Sequence, residues 1–447
     1  MNNNVDMTEG SAVRHLIQFS IPLLIGNLFQ QVYNLADSVI VGQLVGADAL
    51  AATGATGPIT FFFFALCNGI AGGGGIVTSQ FFGAHDDKRV KACIANTGYI
   101  MVAFPLVVGI ISFFLARPLL IMLSTPEKII DEAVVYTQIL CVGLLFVSVY
   151  NYISSMLRAL GDSKSPLYFL IFSCFLNIVL DVFFVATLKM GVAGAGIATV
   201  IAQFIAGAAC IAFAFLKNPY FKFSEEDIKI QGNVIWSAIR LGVPLSLQFS
   251  LIAISSMALQ KVVNGFGSIA VAAFTTSSRI EQLIHQPYQS LSAALSTYSG
   301  QNYGAKKHGR VIDGYRKCLL IMVGFTIIMV ASMQIFGGPI TSLFVKDADV
   351  IEMGAMALKI TSIFYIFLGL IYVVRGVLNG VGDAFFALFN GIVEVIGRFT
   401  VPIFLTMYTP AGLWGIWWSV GVVWFLSGFT AWLRYLKYWK YTKKVDN

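Results

Sequence analysis

Twelve apolar runs of about 20 residues or more follow one another along this chain, each long enough to cross a bilayer. They lie near residues 15–44, 49–79, 90–116, 128–157, 164–187, 192–216, 235–263, 268–300, 311–337, 349–378, 384–408 and 411–436. Only 11% of residues are charged and 57% are hydrophobic. Soluble domains carry about 25% charged residues, so a soluble enzyme of ordinary composition is excluded. The expected fold class is an all-α polytopic membrane protein. The polar start and the length of the first run read as a retained membrane helix rather than a cleaved leader.

The formal charge of +7 does not call for nucleic acid, because its placement is topological. With both termini on one side, that side holds twenty-one Lys and Arg against six on the other. This bias predicts cytoplasmic termini in the cell membrane. Arg375 is counted among the twenty-one. The six cysteines stand singly in apolar segments, as packed thiols do.

The chain repeats itself. "IQFSIPLL" (17–24) returns as "IRLGVPLS" (239–246), placing Pro22 on Pro244, and "QFFGA" (80–84) returns as "QNYGA" (301–305). Gly161-Asp162 returns as Gly382-Asp383, and Gly191 and Gly194 as Gly412 and Gly415. The offset is 221, with a one-residue slip at the proline. Two six-helix lobes are expected, 1–216 and 235–447, joined by a cytoplasmic linker at 217–234. An even helix count gives both the same orientation, hence a pseudo-two-fold along the membrane normal.

Polar groups at membrane depth are costly and functional by default. In the first half these are Asp37 on segment 1, Asn177 and Asp181 on segment 5, and Thr199 on segment 6. Asn177 and Asp181 are four apart and share a helix face. Such an all-oxygen set can hold a proton or a sodium ion, the latter at Asp37 and Asp181. The alternative is a polar cluster that only ties helices together. In the second half, Arg398 and Pro402 replace Asn177 and Asp181, and Asp37 falls on Ala258 or Leu259. The acidic pair therefore has no counterpart there. Arg279 and Glu394 are the structural ion-pair candidates, with Arg398 one turn from Glu394. "AGGGG" (71–75) lacks a following Gly-Lys-Ser/Thr, so it is no phosphate loop and ATP is not expected.

Together, "NLADSVIVGQLVGADALAA" (34–52), the paired "QxxGA" loops, "RALGDSKSP" (158–166) and "LNIVLD" (176–181) resemble the multidrug and toxic compound extrusion (MATE) family, and its prokaryotic DinF-like branch in particular. The resemblance implies efflux of cationic or amphipathic drugs against inward proton or sodium flow, with no cofactor and no enzymatic activity, by a monomer in the lipid bilayer. It places Asp37, Asn177, Asp181 and Thr199 in a cation site. It also places Tyr33, Tyr136 and Asn151 near the acids or the substrate cavity and favours Glu281 as an acid facing that cavity. Arg398 is a further cavity candidate from its place in the repeat, and Pro22 and Pro244, prolines at membrane depth, allow helix bends. A flippase for a lipid-linked saccharide on a related scaffold is the rival; its pyrophosphate would call for a cavity lined with several Arg or Lys, and only Arg279 and Arg398 lie well inside helices here.

Overall fold

The computed structural model describes residues 4–123 and 125–445. The side chains of 253, 254, 256–258 and 440–445 lie outside the described set, among them Ala258, one of the two positions matching Asp37. The described chain is helical throughout: α1 Ala12–Leu44, α2 Ala47–Gly83, α3 Asp87–Met122, α4 Glu127–Ala159, α5 Lys164–Asp181, a π-helix Val182–Thr187, α6 Gly191–Lys217, α7 Gly232–Asn264, α8 Ser268–Gly304, α9 His308–Ser342, α10 Ala348–Ser362, α11 Tyr365–Gly380, α12 Ala384–Tyr408 and α13 Gly415–Val445. Ten are long and apolar enough to cross a membrane, and α10 with α11 makes an eleventh span. The remaining long helix, α8, carries too many Ser, Thr and Gln for a hydropathy criterion. It begins and ends 221 residues after α2.

The repeat extends to backbone strain. Positive φ angles recur at 221 residues in Gly46 and Gly267, His85 and Lys306, Gly161 and Gly382, and Gly191 and Gly412. The left-handed position is kept even where the residue is not glycine, with φ 56° at His85 and 57° at Lys306. The "QxxGA" loops explain why. Ala84 N donates to Gln80 O and Asp86 N to Phe81 O, as Ala305 N does to Gln301 O and Lys307 N to Asn302 O. Each loop thus closes one helix through a left-handed cap and opens the next.

The fold divides into two compact units. Unit 1 is the chain through Met7 with Ile21–Ser250, and unit 2 is Thr8–Ser20 with Leu251 onward. The divisions fall within α1 beside Pro22 and within α7 just past Pro244. Within unit 1 the stretch 217–234 is pinned to α3. Asn96 Nδ2 donates to Lys229 O at 3.1 Å, its Oδ1 accepts from Gln231 N at 2.8 Å, and Tyr99 Oη donates to Ile228 O at 2.8 Å. The glycine run packs helices closely, as small residues do in membranes. A Cβ on Gly73 would lie 2.4 Å from Gly242 N of α7, on Gly74 2.4 Å from the Thr97 side chain, and on Gly75 2.5 Å from Ser155 Oγ. All six cysteines are buried and free.

One expected helix is broken. The span read as continuous over 349–378 bends by 53° between α10 and α11, without proline or glycine at the break. Side chains have entered its ladder. Gln334 Nε2 of α9 donates to Lys359 O at 2.9 Å, and Ser362 Oγ donates to the same carbonyl at 3.0 Å. That carbonyl would otherwise serve the amide of residue 363, and insertion of this kind is a recognised cause of kinks. By contrast, α1 and α7 run through Pro22 and Pro244 unbroken.

Candidate functional site

In unit 1, α1, α5 and α6 bring the predicted polar residues together. Asp181 is fully buried and Asn177 is 2% exposed. The Asp37 and Asp181 carboxyls are close neighbours that bear on each other electrostatically. Two carboxylates tolerate such closeness only with a proton or a cation between them. Asp37 Oδ1 is buried and has no hydrogen-bond partner.

Thr199 organises the rest. Its hydroxyl donates to Ala195 O at 3.1 Å. It accepts from Asn177 Nδ2 at 3.3 Å, and Tyr33 Oη lies 3.4 Å away. With its one proton spent on the carbonyl, Thr199 must be the acceptor toward Tyr33. Thr199 therefore ties Asn177 and Tyr33 to α6. Tyr136 of α4 is buried in an apolar cluster with Val41, Val185 and Ala195, about one turn beyond Asp37, Asp181 and Thr199. Asn151 lies fifteen positions further along α4, roughly 22 Å away, and is not part of this group. A cavity of about 10 Å³, room for one water, is lined by Gln30, Tyr33, Ser173, Asn177, Thr199 and Gln203 among others. The π-helix starts at the residue after Asp181. Such segments are frequent at functional sites.

Unit 2 builds something different. Arg375 Nη2 donates to Glu394 Oε1, and Arg375 Nε donates to Asn390 Oδ1 at 2.8 Å. Asn390 Nδ2 donates to Ser427 O at 2.8 Å and to Thr430 Oγ1 at 3.1 Å. Ser427 Oγ is 3.2 Å from Glu394 Oε1. Arg398 Nη2 stands off at 4.0 Å from Glu394 Oε2. The knot joins α11, α12 and α13. Its main cation is Arg375, 8% exposed, and not a loop charge as its sequence position suggested. Arg375 sits three residues inside the end of the apolar run at 349–378, close enough to that end to read as a loop charge. Arg279 is exposed and forms no ion pair among the described residues, so the pairing expected of it is absent.

A second polar group surrounds the broken span. Thr361 and Tyr365 flank Glu281 of α8. His285, one turn along, has its ring centroid 5.7 Å from that of Trp424 and 6.1 Å from that of Tyr372. Glu281 Oε1, His285 Nε2, Thr361 Oγ1 and Tyr365 Oη are all buried without hydrogen-bond partners. Sequence reading singled out Glu281 but not Thr361 and Tyr365, because nothing in the sequence announced the break.

Two matches to the MatE family profile, at residues 22–183 and 244–403, cover most of the chain, one per repeat. The chain belongs to the MATE family. Members of this family are membrane transporters. Among curated MATE relatives, the "Probable multidrug resistance protein YpnP" of Bacillus subtilis (strain 168) is 32% identical over 84% of each chain. The multidrug export protein MepA of Staphylococcus aureus (strain MSSA476) is 23% identical over 91% of this chain and 89% of its own. The crystal structure of MATE in complex with MaL6 matches with TM-score 0.93 at 23% identity, over 99% of this chain and 100% of that one. A MOP superfamily transporter from Pyrococcus furiosus Vc1 (DSM3638) matches with TM-score 0.92 at 24% identity, over 98% of both chains. At these identities the structural matches establish the MATE fold.

Proposed function

We propose that this MATE transporter exports organic cations or cationic amphipathic compounds by alternating access of its two repeats, in exchange for protons or sodium ions. Both termini are cytoplasmic in this reading. The observation that carries it is the closeness of the Asp37 and Asp181 carboxyls at membrane depth, beside the hydrogen bonds that tie Asn177 and Tyr33 to Thr199. From outside, a cation neutralises the pair and the substrate loses its electrostatic partner. Inside, loss of the cation restores the negative charge and the affinity. Each charge crossing is worth about 2.3 kcal/mol per 100 mV. The lipid-linked saccharide reading is disfavoured, because Arg375 is committed to Glu394 and leaves only Arg279 and Arg398 as further arginines well inside helices, fewer than a pyrophosphate cavity calls for.

The test is efflux of a fluorescent organic cation from liposomes under a pure proton gradient or a pure sodium gradient. Efflux under one gradient names the coupling ion. Folded protein inert under both rejects drug export.

The unpartnered atoms around Glu281 favour an additional reading, in which unit 2 also takes up a proton or water during the cycle. Glu281→Gln should then slow gradient-driven efflux about a hundredfold, the low end of the contribution of a positioned acid or base, while substrate-induced thermal stabilisation persists. Efflux at the parental rate would reduce Glu281 to a buried structural polar group.

A further inference from the structure

A groove of about 450 Å³ runs between the start of α12 and the end of α13, within unit 2. Its walls are Phe385, Phe389 and Leu433, which remain 72%, 47% and 47% exposed. Its polar end carries Thr430, Arg434 and Lys437. Arg434 Nε and Nη2 both lie 2.7 Å from Asp383 Oδ2, so that pair is neutral. Lys437 is exposed and has no ion-pair partner among the described residues, which leaves a net positive charge beside the aromatic bed. The repeat does not impose this arrangement. At 221 residues earlier, Arg434 and Lys437 are Phe213 and Leu216, and Phe385 is Lys164.

We propose that this groove binds one anionic glycerophospholipid, its acyl chain on Phe385, Phe389 and Leu433 and its phosphate at Lys437. Exposed rings and, among the described residues, an unpaired cation at one end match an amphiphile with a negative head. A zwitterionic lipid would leave the Lys437 charge uncompensated. Basic pockets between membrane helices on the cytoplasmic side hold such headgroups, and α13 enters the groove from the side that carries the surplus of Lys and Arg. Only the choice of leaflet rests on the cytoplasmic placement of the termini; the binding itself does not. The site also touches the buried knot. Thr430, at the groove wall, accepts from Asn390, which holds Arg375.

Native mass spectrometry of the detergent-purified transporter tests the proposal, titrating phosphatidylglycerol, phosphatidylcholine of the same chains, and glycerol 3-phosphate. Phosphatidylglycerol should be retained selectively, with glycerol 3-phosphate not retained. Lys437→Gln should weaken phosphatidylglycerol about fivefold without affecting phosphatidylcholine. Phe389→Ala should weaken both. Each variant is first checked for an unchanged thermal transition in lipid-free detergent, and Lys437 and Phe389 are exposed enough to be replaced without loss of fold. Equal retention of the two lipids, or a Lys437→Gln protein that keeps its preference, overturns the proposal. Retention of glycerol 3-phosphate would also overturn it, by pointing to a soluble phosphate ester as the occupant. Labelling a cysteine placed in the C-terminal tail from either side of the membrane tests the leaflet separately.

Discussion

Asp37→Asn should reduce gradient-driven efflux to the leak rate while leaving the protein folded and able to bind substrate. An asparagine keeps the shape of the protonated acid and can still hydrogen-bond to Asp181. It cannot gain or lose the charge that the cycle requires. The transporter should then behave as if its N-terminal repeat were permanently loaded. Cation and substrate would no longer change each other's affinity, a coupling that in exchange systems is about 1–3 kcal/mol, or roughly 5–150-fold. Substrate affinity measured in detergent should accordingly lose its dependence on pH or on sodium in Asp37→Asn. Asp181→Asn should do the same, since the pair acts as one site. Asn177→Ala should act differently: it removes the bond from α5 to Thr199 but leaves both carboxyls, so the site should keep its cation dependence with weakened affinity. Asp37→Asn liposomes that still expel the dye at the parental rate under either gradient would remove Asp37 from the coupling machinery.

Much of this arrangement was legible because membrane sequences are constrained so severely. Spans follow from hydropathy, and the 221-residue repeat is written in loop residues such as Gly161-Asp162 and Gly382-Asp383, where backbone geometry admits few substitutes. Asp37, Asn177, Asp181 and Thr199 were legible because polar groups at membrane depth have few reasons to be there. Three features were not. The break in the tenth span depends on Gln334 reaching across from α9 to Lys359 O, a contact between residues 25 apart with no local signature. The role of Arg375 was hidden because it lies near a span end, where positive charge usually marks a loop; only packing against α12 shows that it meets Glu394. Thr361 and Tyr365 become notable only once the break sets them beside Glu281. The repeats thus share a backbone and differ in chemistry. Where unit 1 has Ser173, Asn177 and Asp181, unit 2 has Glu394, Arg398 and Pro402. The carboxyl pair of one has no counterpart in the other, which builds its ion pair at positions that hold Ser154 and Ser173 in the first half.

That ion pair supports a second large effect, on stability. Arg375 and Glu394 side chains are 10% and 6% exposed, so solvent does little to screen a charge left behind. Removing one partner of a buried pair typically costs about 3–5 kcal/mol, whereas replacing both with apolar groups of similar volume is often neutral. Arg398 makes the two single variants unequal. In Arg375→Met, Glu394 still has Arg398 at 4.0 Å and the hydroxyl of Ser427, so the loss should sit at the low end of that range. In Glu394→Gln, two arginines are left on one side of the bundle with no carboxylate between them, and the loss should be the larger. The double variant Arg375→Met with Glu394→Leu should recover most of the loss from Glu394→Gln, although Asn390 then gives up its bond from Arg375 Nε. Thermal unfolding in detergent reads the order directly: parent, then the double variant, then Arg375→Met, then Glu394→Gln. Efflux per folded molecule separates structure from transport, because a knot that only holds α11, α12 and α13 together leaves the surviving double variant active. A double variant that is stable but silent in transport would instead place this ion pair in the transport cycle itself.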